Sequence, residues 1–356
     1  MLKNTQKVKT MVDKIYCMSS FLMLRTIYNH KKTFSNNISP SFFEENSDRE
    51  LVYTSNDLEH VLKKEVEKAC STSKAALCLS GGIDSAILAK YMPKGSIAYT
   101  FRCVVPGKSV VDETKQAEIY AKDCGLVHKI IDIYWEDFVN YSSLLMKHKG
   151  APIHSIEVQI FKAALIAKKE GIDTLIFGES ADVNFGGQDG LFAKDWTTDE
   201  YIKRYSYIMP NEVLKEFVVV REPFELYSQN GIMNVHEFNR HVYYLESMGS
   251  YQNACSCAGI NLCAPFSKTF LATQIDIARI RNGENKYLVR ELFKSLYPSL
   301  VVPKKIPMPR PMNEWMMNYS GPSSKCFIDN LDVSVFTGDQ KWLLWALDKF
   351  LKENNI

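Results

Sequence analysis

Four short apolar runs that alternate with helical patterns constrain the fold of this chain more than any other feature. The runs cover residues 75–79, 96–105, 128–133 and 174–178, and helical spacing of apolar residues lies between them. Short apolar runs of this kind fit strands that are buried on both faces. Strands that alternate with helices predict an α/β fold, with a parallel sheet covered by helices on both faces.

The second half of the chain lacks this alternation and is predicted to be mostly helical. We divide the chain into an N-terminal connector at 1–56, an α/β core at 57–194 and a helical C-terminal lobe at 195–356. Loops rich in proline and glycine separate the helices of the lobe. These helices are predicted at 198–209, 210–220, 236–249, 268–280, 287–296 and 340–353.

An apolar stretch at 15–24 could be mistaken for the core of a signal peptide. It follows lysines, but it contains Ser19 and Ser20, and Arg25 comes next without a small-residue cleavage site. The stretch is therefore predicted to be a buried helix. No apolar run approaches the roughly 18–20 residues that a transmembrane helix needs, so no membrane partner is expected.

Composition and charge limit the class of protein, the partners and the cellular compartment that are expected. The 356 residues are 46% hydrophobic and 24% charged, which excludes disordered and low-complexity classes. With 43 basic and 41 acidic residues the formal net charge is +2, so the bulk charge does not indicate a nucleic-acid partner. Nine scattered cysteines, an odd number in a long chain, favour a reducing compartment, and a cytoplasmic location is predicted.

The loop that follows the first apolar run carries the clearest chemistry. It reads Ser80-Gly81-Gly82-Ile83-Asp84-Ser85. The two glycines permit a tight turn, so successive amides and the start of the next helix can bind an anion, and the two serines add hydroxyl donors. Asp84 carries a negative charge, so its place beside a bound anion is explained if a Mg²⁺ ion bridges the carboxylate and the anion. The alternative is a plain glycine-rich turn with Asp84 as a helix cap.

The combination of strand, SGGxDS loop and helix resembles the pyrophosphatase loop of the ATP pyrophosphatase (PP-loop) superfamily. No lysine follows the glycines, so the loop differs from the phosphate loop that ends in Gly-Lys-Ser/Thr. The resemblance implies an adenine nucleotide alpha hydrolase-like core. It also implies that ATP is cleaved between its α and β phosphates, so that the substrate becomes an adenylate.

A second segment, at 175–187, resembles the GEGxDExFGG signature of the asparagine synthetase family. Glu179 and Asp182 are three residues apart at a strand end, so they can face one pocket. The resemblance implies that Asp182 holds Mg²⁺ together with Asp84, and that Glu179 is a charged or general-base partner near the nucleophile. The family often has a second acid directly after the aspartate, where this chain has Val183. The alternative is a polar loop with capping acids.

The resemblance continues beyond these motifs and implies further site residues. Lys286 begins a K-x-x-x-R helix and is expected to stabilise developing charge at the adenylate. The segment at 302–315 resembles the family's basic loop and its tryptophan. The expected ATP- and pyrophosphate-binding residues are Cys78, Leu79, Ser80, Gly81, Gly82, Asp84, Ser85, Phe101, Gly178, Lys304 and Lys305, with Arg310 as a further basic residue of the loop. For any one of these basic residues, a solvated surface position is the alternative.

The source of nitrogen is expected to differ from that of common asparagine synthetases. Residues 21–40 resemble the connector that follows their glutaminase domain, and Cys17 is not an N-terminal nucleophile. The chain is therefore expected to use free ammonia, ammonia from a separate glutaminase chain, or an amine.

The acceptor is expected to be a carboxylate other than free aspartate, such as a peptide, a sugar acid or another metabolite. Cys263 and Lys268 stand where the family has the arginine and aspartate of R-x-P-F-L-D. Cys255, Cys257 and Cys263 form a small cluster that could bind metal, transfer sulfur or fill buried space.

The sequence thus predicts an enzyme of the asparagine synthetase type. The expected reaction uses ATP and Mg²⁺ to adenylate a carboxylate, transfers it to ammonia or an amine, and releases AMP and pyrophosphate. Two alternatives stay open. One is a PP-loop enzyme that modifies RNA or transfers sulfur, and the other is an inactive synthetase-like lobe that binds a partner.

Overall fold

The computed structural model describes residues 10–43, 48–303 and 308–356. The helices of this part of the chain are α1 (Lys14–Leu24), α2 (Ser55–Thr72), α3 (Ile83–Ala89), α4 (Thr114–Cys124), α5 (Trp135–Lys149), α6 (Ile156–Lys169), α7 (Ala181–Phe185), α8 (Thr198–Tyr205), α9 (Glu222–Leu226), α10 (Val235–Phe238), α11 (Tyr244–Ala258), α12 (Ile277–Arg281), α13 (Tyr287–Leu296), α14 (Met312–Trp315) and α15 (Gly338–Glu353). Its strands are β1 (Met11–Val12), β2 (Lys32–Thr33), β3 (Glu50–Val52), β4 (Ala75–Cys78), β5 (Ile97–Cys103), β6 (Val127–Ile133), β7 (Thr174–Ile176), β8 (Ser228–Gln229), β9 (Ile232–Met233), β10 (Asn261–Cys263) and β11 (Thr269–Leu271).

A five-stranded parallel sheet lies at the centre of the molecule, with the strand order β10-β7-β4-β5-β6. Strands β4 to β7 coincide with the four apolar runs, so the predicted α/β fold with a parallel sheet is confirmed. Helices α2, α3, α4 and α13 pack into one layer, and α5, α6 and α11 pack into the other. Two layers are needed because the central strands carry apolar side chains on both faces.

The fifth strand, β10, comes from the region in which sequence patterns indicated only helices. It pairs with β7, with Asn261 opposite Thr174 and Cys263 opposite Ile176. A run of three residues is too short to show a strand period, and only the contact with β7 makes it a strand. The rest of the C-terminal region is mostly helical, as predicted.

Two helices predicted in this region are wrong over most of their length. At 210–220 a short 3-10 turn is followed by chain without helix, and Leu214 forms an antiparallel bridge with Phe327. At 268–280, β11 pairs in parallel with β3, and the only helix begins at Ile277. In both places backbone groups bond to distant segments, and this pairing outweighs the local helical pattern.

Helix α1 confirms the prediction of a buried helix near the N-terminus. Residues 16–24 are all buried, and the helix packs against α15. It ends at Arg25, which adopts the left-handed conformation (φ 57°) and donates its backbone N–H to the carbonyl of Phe21. Within the described ranges, no helix has both the length and the apolar character required to cross a membrane.

An aromatic cluster joins the C-terminal helix to the core. Trp135 and Phe138 on α5 pack against Trp315 on α14 and against Trp342 on α15, and Trp345 packs on Trp135 and Trp342. The ring centroids of Phe138 and Trp315 are 4.9 Å apart. We name the four indoles the tryptophan cluster. It fixes α14, and with it residues 308–311, against α5.

Candidate functional site

A cavity of about 430 Å³ lies at the carboxyl ends of β4, β5 and β7. The two motifs meet there because both follow parallel strands that are neighbours in the sheet. Gly81 belongs to the loop but does not line the cavity, and Lys304 and Lys305 lie outside the described residues. The predicted site residues that do line it are Cys78, Leu79, Ser80, Gly82, Asp84, Ser85, Phe101, Gly178, Glu179, Asp182 and Lys286, together with Arg310.

Serine hydroxyls organise the loop after β4. The N–H of Ser80 donates to Ser85 Oγ over 3.0 Å, and the N–H of Gly82 donates to Ser80 Oγ over 3.1 Å. The two hydroxyls are themselves 3.0 Å apart. These bonds fix the turn around the glycines.

Two glycines allow the second motif to approach this loop. A Cβ at Gly178 would lie 2.9 Å from the backbone nitrogen of Ser85 and 3.0 Å from Asp84 Cβ, which is too close for a side chain. A Cβ at Gly187 would overlap the carboxylate of Asp182. The close backbone approach therefore brings Asp182 to the same part of the cavity as Asp84.

Lys286 lies between these two carboxylates. Its Nζ is 2.9 and 2.8 Å from the two carboxylate oxygens of Asp84, and 2.9 Å from Asp182 Oδ1. The residue is 5% exposed and adopts the left-handed conformation (φ 52°) directly before α13. Burial alone would lower the pKa of Lys286, but Asp182 and Asp84 outweigh burial and hold the pKa above its ordinary value. The buried ammonium is therefore charged.

The same pair of carboxylates fits a divalent cation. Mg²⁺ prefers oxygen ligands, and in nucleotide sites it takes one or two carboxylates from the protein and other oxygens from phosphates and water. Asp84 and Asp182 converge on one point, where the ammonium of Lys286 now lies. Among the described residues, no group of three or more His, Cys, Asp or Glu side chains could hold a metal ion. Mg²⁺ here would therefore take its remaining oxygen ligands from the phosphates of a nucleotide or from water.

Glu179 precedes Asp182 by three residues in the second motif and also lines the cavity. Its Oε1 accepts a hydrogen bond from Ser247 Oγ over 2.9 Å, and Tyr251 also bonds to its side chain. Ser180 adopts a left-handed conformation (φ 77°), which is uncommon outside glycine, and turns the chain between the two acids. Burial raises the pKa of Glu179, while hydrogen bonds from Ser180 and Ser247 oppose the rise. A carboxylate with a raised pKa beside the cavity is suited to accept a proton.

Three of the predicted ATP-binding residues line one wall of the cavity, at the neighbouring strands β4 and β5. Cys78 is the last residue of β4, Leu79 follows it, and Phe101 lies on the neighbouring strand β5. Thr100 Oγ1 donates to the carbonyl of Leu79 over 2.6 Å and ties these strands together. Burial raises the pKa of Cys78 well above its ordinary value, so this wall carries a neutral thiol.

Comparison with known families shows which family the chain belongs to. The sequence profile of the family described as asparagine synthase matches residues 57–260, which is more than half of the chain. The chain belongs to the asparagine synthase family. A search of curated proteins found no match. Membership in the asparagine synthase family supports an ATP-dependent synthetase-like function, and the family uses ATP as a substrate, usually with Mg²⁺.

Sequence reasoning did not identify several residues that line the cavity of this asparagine synthase family member. Three of them, Arg25, His154 and Glu246, are titratable and buried. Arg25 lies outside the range that the family profile matches. The three positions are far apart in the chain and form no motif. The available signal was the position of Arg25 directly after a long apolar run, where a lone charge needs a partner.

Glu113 packs against the pyrophosphatase loop. Its Cβ would lie 3.2 Å from a Cβ at Gly81, and the residue lines the cavity. Burial, with a smaller contribution from the charge of Asp112, raises the pKa of Glu113 to about 7. This acid is therefore partly protonated near neutral pH.

The altered residues of the R-x-P-F-L-D segment do not line the described part of the cavity. Cys263 ends β10 and Lys268 ends a 3-10 turn. Because neither residue lines the cavity, neither places a charge on the cavity wall. Burial raises the pKa of both Cys255 and Cys263 to about 12, and the pKa of Cys257 is also raised. All nine cysteines are free; Cys255 is buried, and Cys257 and Cys263 are half-buried. Neutral thiols in these positions favour the space-filling interpretation of the cluster.

Proposed function

We propose that this chain activates a carboxylate with ATP and Mg²⁺ and joins it to ammonia or an amine, with release of AMP and pyrophosphate. The observation that carries the proposal is the meeting of the SGGxDS loop, Asp84, Asp182 and Lys286 in one cavity that Glu179 also lines. Each of these groups has a part in the reaction.

The loop and the carboxylates account for nucleotide binding. Loop amides and the hydroxyls of Ser80 and Ser85 bind the β and γ phosphates, and the apolar wall holds the adenine. Asp84 and Asp182 would hold Mg²⁺, which neutralises phosphate charge when bound. Lys304 and Lys305 belong to the proposed pyrophosphate site, and Arg310 supports a basic boundary there because it lines the cavity.

The first chemical step forms the adenylate. An oxygen of the acceptor carboxylate attacks the α-phosphorus of ATP, the bond to the bridging oxygen breaks, and pyrophosphate leaves. Lys286 stabilises the negative charge that develops on the α-phosphate, because its ammonium lies in the cavity and burial desolvates it. Binding both reactants in one cavity supplies the proximity that the step needs.

The second step forms the amide. The nitrogen nucleophile attacks the carbonyl carbon of the acyl adenylate, and AMP leaves with the electron pair of the broken C–O bond. Glu179 accepts the proton that the nitrogen loses, a role supported by its raised pKa and its place on the cavity wall. The nitrogen comes from free ammonia, from a separate glutaminase chain or from an amine substrate. Because the nine cysteines are free, we also propose a cytoplasmic location for the protein.

The decisive experiment is carboxylate-dependent exchange of labelled pyrophosphate into ATP over a panel of acids that includes aspartate. Exchange with at least one acid, followed by AMP and amide formation when ammonia is added, is the expected result. Asp329→Asn, which changes a carboxylate with 83% side-chain exposure, serves as the control for Asp84→Asn. ATP binding without exchange, and without AMP in a lysate of the native host, would instead identify an inactive lobe.

A further inference from the structure

Arg25 links the end of the N-terminal helix α1 to the first turn of α11 at the cavity wall. It is 8% exposed, follows α1 directly and lies outside the range that the family profile matches. Its Nη2 donates to Oε2 of Glu246 on α11 over 2.9 Å, and its Nη1 donates to Nε2 of His154 over 2.9 Å. Glu246 is 2% exposed, so Arg25 and Glu246 form a buried ion pair.

The start of α11, where Arg25 makes these contacts, is irregular. A π-helical turn, Asn239–Tyr243, runs directly into α11, and such turns are rare and often lie at functional sites. Tyr243 ends the turn, and Glu246 lies three residues later, on the same helix face. Arg25 contacts both, because its guanidinium lies 5.9 Å from the ring centre of Tyr243 and pairs with Glu246. Arg25 therefore fixes the first turn of α11 relative to the π-helical turn.

The same part of α11 holds Glu179. Ser247 follows Glu246 directly, and its Oγ donates to Oε1 of Glu179 over 2.9 Å. Tyr251, one turn further along α11, also forms a hydrogen bond with the side chain of Glu179. The position of the Glu179 carboxylate in the cavity thus depends on where the first two turns of α11 lie.

The proposed role of Glu179 depends on the placement of its carboxylate. A general base acts only within hydrogen-bond reach of the proton that it accepts. A misplacement of about 1 Å can cost about 100-fold in rate, even when the changed residue lies far from the chemistry. We propose, building on the proposed function, that Arg25 is a positioning residue for amide formation. Through Glu246 it fixes the start of α11, so that Ser247 holds the Glu179 carboxylate toward the nitrogen nucleophile.

The proposal assigns Arg25 to one of the two chemical steps. Glu179 accepts a proton when nitrogen attacks the acyl adenylate. Adenylation instead uses the pyrophosphatase loop, Asp84, Asp182 and Lys286, all of which lie outside α1 and α11. A change at Arg25 should therefore slow amide formation and leave pyrophosphate exchange unchanged, whereas a general loss of structure would slow both steps.

The experiment compares the two steps in a variant that lacks the ion pair. Arg25→Met/Glu246→Met removes both charges, because loss of one partner alone would leave a buried charge unpaired. Pyrophosphate exchange, and amide formation with ammonia, are measured at saturating ATP and at saturating concentrations of an acid that supports exchange. We expect amide formation to fall by about ten- to 100-fold and exchange to stay within about twofold. The control, Arg221→Met/Glu225→Met, removes an ion pair whose side chains are 45% and 57% exposed, and should change neither step.

Two further variants test the path from Arg25 to Glu179. Arg25→Lys keeps a cation for Glu246 but loses the fork that also bonds His154, so its rate of amide formation should lie between those of the natural chain and the double variant. Adding Ser247→Ala to the double variant should cause no loss beyond that of Ser247→Ala alone, because both changes break one path. Near-ultraviolet circular dichroism checks folding, and Arg25→Lys is decisive if the double variant does not fold.

Three results would overturn the role of Arg25. One is amide formation equal to that of the natural chain in the folded variants. Another is exchange that falls as far as amide formation does, which would place Arg25 in contact with the acceptor or the nucleotide. The third is losses that multiply when Ser247→Ala is added. Absence of exchange in the natural chain is a different result, since it refutes the proposed reaction itself, and the role of Arg25 with it.

Discussion

Replacing Lys286 with methionine removes the ammonium that lies between Asp84 and Asp182 while keeping a side chain of similar length. Loss of one partner from a buried ion pair leaves the remaining charges without compensation and costs about 3–5 kcal/mol. The side chains of Asp84 and Asp182 are 20% and 31% exposed, so water compensates part of their charge. We therefore expect the lower end of that range, a loss of about 3 kcal/mol in the free energy of unfolding.

Urea unfolding of Lys286→Met and of the natural chain, both without nucleotide, measures this loss. Lys294→Met is the matched control, because it changes an exposed lysine on the same helix, α13, and is expected to stay within about 0.5 kcal/mol of the natural chain. Since Lys286→Met leaves two carboxylates that converge on one point, added Mg²⁺ is expected to restore part of the stability. The gain is about 1.4 kcal/mol at a Mg²⁺ concentration ten times the dissociation constant.

Two results would refute the reasoning about Lys286. One is a free energy of unfolding for Lys286→Met that lies within about 0.5 kcal/mol of the value for the control. The other is equal stabilisation by Mg²⁺ of the variant and the natural chain, which would mean that the ammonium and the metal do not share the carboxylates.

Three further predictions follow from the loop and its neighbours. Asp84→Asn is expected to lower pyrophosphate exchange by about 100-fold or more with the fold intact, and an active variant would contradict the assignment. Gly178→Ala is expected to cost about 1–3 kcal/mol, because its Cβ would meet the loop backbone, whereas Gly249→Ala, whose nearest contact is 3.7 Å away, should cost nothing by urea unfolding. Burial raises the pKa of Glu113 from 4.5 to about 7, so the unfolded state loses its proton first and stability falls as pH rises between these values, by up to about 3 kcal/mol. Glu113→Gln should flatten that part of the stability-pH curve, and the exposed Glu118→Gln should not.

The central fold was predictable because its signal is local. Each of β4 to β7 is an apolar run bounded by turn residues, and α13 runs over the predicted residues, Tyr287–Leu296. β10 and β11 are three residues long, and each becomes a strand only through its pairing with β7 or β3. Local patterns do not contain such partners, so the prediction of a helix was wrong over most of 268–280. The helix predicted at 210–220 was wrong for the same reason, because Leu214 bridges to the distant Phe327.

The candidate site divides in the same way. Asp84, Glu179 and Asp182 could be named because each belongs to a short motif at the end of a strand. The position of Lys286 between two of these acids depends on packing between α13 and α3, which no spacing in the sequence expresses. Arg25, His154 and Glu246 belong to no motif, since they are brought together only by the tertiary fold.

The tryptophan cluster gives this protein an optical signal of its own. Four of its five tryptophans are in the cluster, with centroid separations between 4.8 and 6.3 Å, and the fifth is Trp196. Indoles at such distances couple electronically, so the near-ultraviolet circular dichroism spectrum reports the packing of α5, α14 and α15 against one another. Detachment of the C-terminal helix would abolish the coupled signal while the far-ultraviolet spectrum of the sheet and its helices stayed nearly constant. The two spectra together would distinguish local fraying of the C-terminal region from global unfolding, without any added dye.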